Sequence, residues 1–276
     1  MKQQMKIVLE MDDMQCQNYM KIHGEELFEA MLTNLGSPDG ELRDELIYRL
    51  LVKLLNGQHL DTNQLTGALK MLITDQYLFA SIGEKGSDDV FIRSFSTLWL
   101  TGLFWLDQEH PFMDSELRSK ALEKCATYLL QERDTRGFVE GKGWAHSIAH
   151  GADLAAMIAS HPLLEKRLIP IILEGVTSCF WKGSVYTDDE DERLAAIFMS
   201  LAKSDYPEEI LIEWMEQIFD KLDRKTPEKG YSKSFYHART NILQFMKTLY
   251  FALKKSKRYP KLQSTASFFI QKWQNA

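Results

Sequence analysis

The sequence predicts an all-α protein, and three observations carry that prediction. Apolar residues recur at three- and four-residue spacing through most of the chain. The stretches between these runs are short and rich in the Gly, Pro, Ser and Asp that start and stop helices. No segment keeps up a period-two alternation, and no Asn-Gly or Asp-Gly turn joins two strand-like runs. Helix pairs spaced roughly 40 to 50 residues apart, with turns such as GSPDGELR at 36–43, match the turn chemistry and period of HEAT or armadillo repeats, so an α-solenoid is the expected architecture. A compact helical array is the alternative.

Taken in order, a polar start gives way at 25–35 to Leu27, Phe28, Met31, Leu32 and Leu35, the apolar face of a helix that Gly36 stops. Ser37 then stands as a cap ahead of Pro38, with Asp39, Glu41 and Asp44 where the helix dipole favours acids. Leu42, Leu46, Ile47, Leu50, Leu51, Leu54 and Leu55 carry that face to Asn56-Gly57. Asp61 or Thr62 caps a helix through Leu65, Leu69, Leu72 and Ile73; Asp88 or Asp89 caps one through Val90, Phe91, Phe95, Leu98, Leu103 and Leu106. Residues 114–133 and 144–160 form a central pair. A helix from Pro162 contains Pro170, which should kink or divide it. Helices over 188–203, 207–222, 231–255 and 259–273 complete the chain, and the charged, Pro-containing stretch 223–229 reads as a linker. The expected organisation is a helical-repeat domain over 1–222 and a C-terminal helical cap over 223–276 packed on it.

With 276 residues, 45% of them hydrophobic, the chain can bury a continuous core. A formal net charge of −6 sets its field against phosphate backbones and anionic lipid, so neither nucleic acid nor membrane is an expected partner. The local basic candidates Lys247, Lys254, Lys255, Lys257 and Arg258 read mainly as a solvated helix end. Cys16, Cys125 and Cys179 form no CxxC, which argues against a disulfide framework or a thiolate zinc site and for a reducing cytoplasm. Glu10, Asp12 and Asp13 stand where a secretion signal needs an apolar run. The longest apolar stretch, LWLTGLFWL at 98–106, is far short of the ~20 residues that cross a bilayer.

Chemistry-bearing residues concentrate at 137–153, GFVEGKGWAHSIAHGAD. With a helix starting near Gly143 or Trp144, His146, His150 and Asp153 fall at i, i+4 and i+7 on one face, within an arc of about 60°. Such a set can bind a divalent metal, the one cofactor the residues suggest, with Glu140 as a further ligand or base. Ser147 stands where a zinc protease has its Glu, so that pattern fails. Two other readings fit the same residues. The small neighbours Ala145, Ala149, Gly151 and Ala152 suit structural histidines cementing a close helix contact. Glycines at 137, 141 and 143, with Lys142, suit a non-metal ligand at a helix start. Arg93, Arg193, His237, Arg239 and Asn241 could face the same groove. Trp144, with Trp99, Trp105 and Phe138, reads most simply as core, and a stacking wall for a ligand is its second use.

The turn 35–44 (LGSPDGELRD), the segment 90–95 (VFIRSF) and the run 136–146 (RGFVEGKGWAH), continuing to His150 and Asp153, resemble a bacterial family of uncharacterised helical proteins catalogued as a domain of unknown function. The resemblance covers most of the chain and implies a soluble helical-repeat protein with a site at 136–153, without a reaction. The leading reading is a binding protein whose groove, formed by Arg93, Glu140, Lys142, Trp144, His146, His150 and Asp153, takes a small polar ligand or a segment of a partner protein. A metal-assisted hydrolase with His146, His150 and Asp153 as ligands and Glu140 as base is the alternative.

Overall fold

A computed structural model describes residues 1–229 and 232–274, with side chains from 225 to 229 left aside. The described chain is helical almost throughout. Helix α1 (Lys2–Glu10) and the first half of helix α2 (Asp13–Thr33) occupy the stretch expected to be a polar start, while the second half of α2 is the helix expected from residue 25. The reason is local: Asp12 and Gln15 form a reciprocal capping box, and Met5, Val8, Cys16 and Met20 are buried. The next helix opens as a π-helical segment, Glu41–Tyr48, before becoming α3 (Arg49–Asn56). Asp39 rather than Ser37 caps it, its carboxylate accepting from the Leu42 N–H at 3.1 Å. Helix α4 (Thr62–Leu72) begins at Asp61 with a second capping box.

Helices α5 (Asp89–Glu109) and α6 (Ser115–Gln131) follow as expected. Helix α7 (Ser147–Ala159) starts later than expected, and α8 (Ile169–Cys179) carries Pro170 in its first turn, where a missing N–H costs nothing and no kink results. A 3₁₀ turn, Lys166–Leu168, leads into it. Helix α9 (Glu190–Lys203) precedes α10 (Glu208–Lys229), which runs on through the stretch expected to be a linker. The expected start of the next helix at Tyr231 lies outside the described residues; α11 is described over Lys233–Ser256 and α12 over Pro260–Gln274.

Helix α7 packs between α5 and α9, α9 also packs on α11, α6 packs on α8, and α12 on α10 and α11. The main apolar core runs from Met5 to Trp273, with Trp99, Phe104, Phe198, Phe219 and Phe245 fully buried, and a small second cluster joins Val90, Phe91 and Ala145. All three cysteines are buried and free. A recurring turn follows the ends of α5, α7, α9 and α11: His110-Pro111, His161-Pro162, Tyr206-Pro207 and Tyr259-Pro260. Two of these turns reach back to the previous one. His161 Nε2 lies 3.8 Å from Asp107 near the end of α5, and the Tyr259 hydroxyl donates to the carbonyl oxygens of Leu201, at 3.1 Å, and Tyr206. Among the described residues, no helix is long and apolar enough to cross a membrane.

Candidate functional site

The glycine-rich stretch is a small β-hairpin. Strand β1 (Phe138–Val139) pairs antiparallel with β2 (Gly143–Trp144), Phe138 opposite Trp144. Gly141 and Gly143 have φ of +74° and +80°, the left-handed region open to glycine at no steric cost. A Cβ on Gly143 would also sit 2.5 Å from Asp44 Oδ2. These glycines therefore close a turn; they do not spread amides at a helix start. His146 adopts φ 48° and ψ 30° ahead of α7, so the helix begins at Ser147 instead of Gly143 or Trp144. His146 is a lip beside the helix, and the expected i, i+4, i+7 face reduces to His150 and Asp153.

Two buried cations pin the hairpin. The guanidinium of Arg43, fully buried, lies 4.1 Å from the Phe91 ring centre and 4.8 Å from that of Phe95. It donates to the carbonyls of Lys142 at 2.7 Å, Trp144 at 3.3 Å and Ser37 at 2.5 Å. Its Nε is 2.8 Å from Asp44 Oδ1 without hydrogen-bond alignment, while Asp44 Oδ2 accepts from the Trp144 N–H at 3.3 Å. Burial raises the Asp44 carboxyl above its usual value against the pull of Arg43. At the hairpin base, Arg136 donates to Asp134 and to the Ser87 carbonyl, and the buried Ser147 hydroxyl donates to the Asp134 carbonyl at 2.8 Å.

The second cation is Arg93. Its five donor hydrogens meet Glu132 at 2.8 and 3.0 Å and the carbonyls of Ala80, Ser81 and Glu84, so none is left for a ligand. Glu132, itself fully buried, also accepts from the Tyr128 hydroxyl and from the N–H groups of Arg133 and Asp134. Arg93 thus anchors the chain leading into the hairpin.

What the fold gathers at the surface is a shelf of rings. Phe138 and Trp144, 59% and 40% exposed, meet edge to face at 5.2 Å. Trp144 stacks on His146 at 4.6 Å, and the His146 and His150 rings stand edge to face at 5.3 Å. Trp105, 38% exposed, is also on the surface; of the four rings expected in the core only Trp99 is there. His146 Nε2 is 2.5 Å from the Asp188 carbonyl oxygen and so carries its proton, while His150 Nδ1 is 2.8 Å from Ser94 Oγ. Burial, reinforced by His146, Arg193 and Arg43, holds His150 well below the usual imidazole value. Asp153 accepts from Arg193 Nη1 with both oxygens at 3.0 Å, and burial raises its carboxyl despite that partner. A separate apolar groove of about 200 Å³ lies between α3, α5 and α7, lined by Tyr48, Val52, Leu98, Trp105 and Met157.

Lys142 leans away to Asp88 at 2.7 Å, and Glu140 is exposed at the hairpin tip. Among the described residues, no group of three His, Cys, Asp or Glu is placed to hold a metal ion. His237 binds the Gly183 carbonyl, Asn241 holds the backbone at 184 and 186, and Arg239 binds the Trp273 carbonyl. Arg43, Tyr48, Ser94 and Glu132 look from the sequence like ordinary residues of amphipathic helices, and Asp44 like a helix-start acid, so nothing there marks them as supports of the site.

As a class, the molecule is an all-α protein carrying a hairpin-braced shelf of aromatic and imidazole rings. The profile of the family described as Protein of unknown function (DUF2785) matches residues 78–251, more than half of the chain, and the chain belongs to that family. The matched span includes the hairpin, His146, His150, Asp153 and Arg193; the turn at 35–44 lies outside it. No curated protein and no solved structure matches the chain.

Proposed function

We propose that this chain is a cytoplasmic helical-repeat binding protein whose ligand, a small polar molecule or a segment of a partner, sits on the shelf of Trp144, His146, His150 and Asp153. The observation that carries the reading is the exposure of Phe138 and Trp144 on a backbone that is otherwise locked. Large exposed rings cost solubility, and fixing them with a fully buried arginine makes sense where they meet a ligand with little entropy to lose. The packing of α5, α7, α9 and α11 each on the next, with a His-Pro or Tyr-Pro turn after each, supports a stacked repeat over a compact array. Three buried free thiols support a reducing compartment. A ligand-induced rise in melting temperature, screened over a mixed panel of neutral, anionic and cationic metabolites and short peptides, tests the reading. The rise should appear with the wild type and vanish in Trp144→Ala. If no compound or peptide gives a shift that depends on Trp144, the shelf is not a binding site.

A further inference from the structure

The inference that follows rests on the shelf being a binding site and concerns what kind of molecule fits it. The cations at its open edge, Arg193 and Lys142, are each held on a carboxylate. Arg193 is held on Asp153, Lys142 on Asp88, and Glu190 is 2% exposed and turned to the Asp188 N–H at 2.9 Å. An anionic ligand would meet cations whose charge is already offset, Arg193 by Asp153 and Lys142 by Asp88, and would bring its own charge close to those carboxylates. The hydrogen-bonding capacity that remains is two-sided. Arg193 spends one nitrogen, Nη1, on both oxygens of Asp153, and Nη2 and Nε have no partner among the described residues. His146 uses Nε2 on the Asp188 carbonyl, leaving Nδ1; His150 uses Nδ1 on Ser94, leaving Nε2. Neither leftover nitrogen is sealed from solvent without a partner. Beside these stands Trp144, stacked on His146 and at right angles to Phe138, with 40% of its surface open.

A hydroxyl group both donates and accepts, so neighbouring hydroxyls can take a guanidinium N–H and give to an imidazole or carboxylate at once. The negative face of an indole favours the positive edge of C–H groups. We propose that the shelf of Trp144, His146, His150, Asp153 and Arg193 takes an uncharged polyhydroxylated ring, a sugar or cyclic polyol, with its C–H face on Trp144 and its hydroxyls on the imidazoles and the Asp153–Arg193 pair. A neutral His150 at neutral pH leaves its Nε2 able to give or to take a hydrogen bond, either of which a hydroxyl can answer.

The test uses the full chain with D-glucose, D-galactose, D-mannose and myo-inositol as neutral probes, and succinate and putrescine as charged ones; Asp188 gives putrescine its best chance. Saturation-transfer NMR reads contact with ligand C–H protons directly. At least one neutral probe should give a transfer signal with the wild type that drops fivefold or more in both Trp144→Ala and Arg193→Met, each checked for an unchanged helical circular-dichroism spectrum. If Trp144→Ala loses its fold, Arg193→Met decides alone. Shelf-dependent binding of succinate or putrescine in place of the polyols overturns this inference and leaves the binding-site reading standing. No shelf-dependent signal from any neutral probe overturns it as well, and the wider thermal screen then decides whether the site binds anything.

Discussion

His150 shows how a single side chain couples the site to pH. Its folded-state value lies well below the usual 6.5, so as pH falls the unfolded chain takes up this proton first and folded stability drops. His161, depressed by burial, has the same sign. Asp153 and Glu190, both raised by burial, have the opposite sign: the folded chain holds their protons to higher pH, so their contribution grows as pH falls towards the usual carboxylate range. Between about pH 7.5 and about pH 5.5 the imidazoles should dominate, lowering the melting temperature of the wild type more than that of His150→Gln. Equal losses would remove His150 from the account. Glu132 makes a sharper case. Replacing it with Gln leaves the Arg93 guanidinium buried without its charge partner, which should cost about 3–5 kcal/mol in urea unfolding. Tyr128→Phe, which removes one hydrogen bond from the same carboxylate, should cost about 1 kcal/mol.

Among the elements, the hairpin allows a matched comparison. Gly143→Ala meets both a left-handed φ and Asp44 Oδ2, and should cost about 1–3 kcal/mol. Gly141→Ala has the same φ problem but open space for its Cβ, so its melting temperature should lie between that of Gly143→Ala and the wild type. Equal melting temperatures would mean that Asp44 does not press on the turn. The helices themselves were largely legible: apolar spacing marked most of them, and Asp61 marked a start. Three things were not. The hairpin is too short for strand periodicity to register, with two residues in each strand. The π-helical opening at Glu41–Tyr48 has the composition of any amphipathic helix. The His-Pro and Tyr-Pro turns were readable in principle, but two residues recurring at uneven spacing carry weight only once helix ends are known. Of the candidate site, His146, His150, Asp153 and Trp144 do come together, because they are close in sequence. Their partners Arg43, Asp44 and Ser94 come from distant helices, which only the fold could name.

For the whole molecule, the final helices are part of the same packing problem as the rest. Phe219 stacks flat on Phe269 at 3.9 Å, and Phe198 and Trp214 both contact Phe245. A chain ending at residue 222 would expose that cluster, so it should lose cooperative thermal unfolding or aggregate. A soluble, monomeric 1–222 with an unchanged melting temperature would instead make the C-terminal helices a separable cap.

The three buried thiols give this packing a time axis. Burial raises all three above the ordinary thiol value, and a thiol-specific reagent can reach one only after its surroundings part. Cys16 sits in α2, which packs mainly on α1 and α4, whereas Cys125 and Cys179 lie between the tightly joined α6 and α8. Under pulse labelling read by mass spectrometry, Cys16 should be modified first and the other two together. The amino-terminal helices would then be the part of the molecule that breathes, while the body bearing the shelf stays shut.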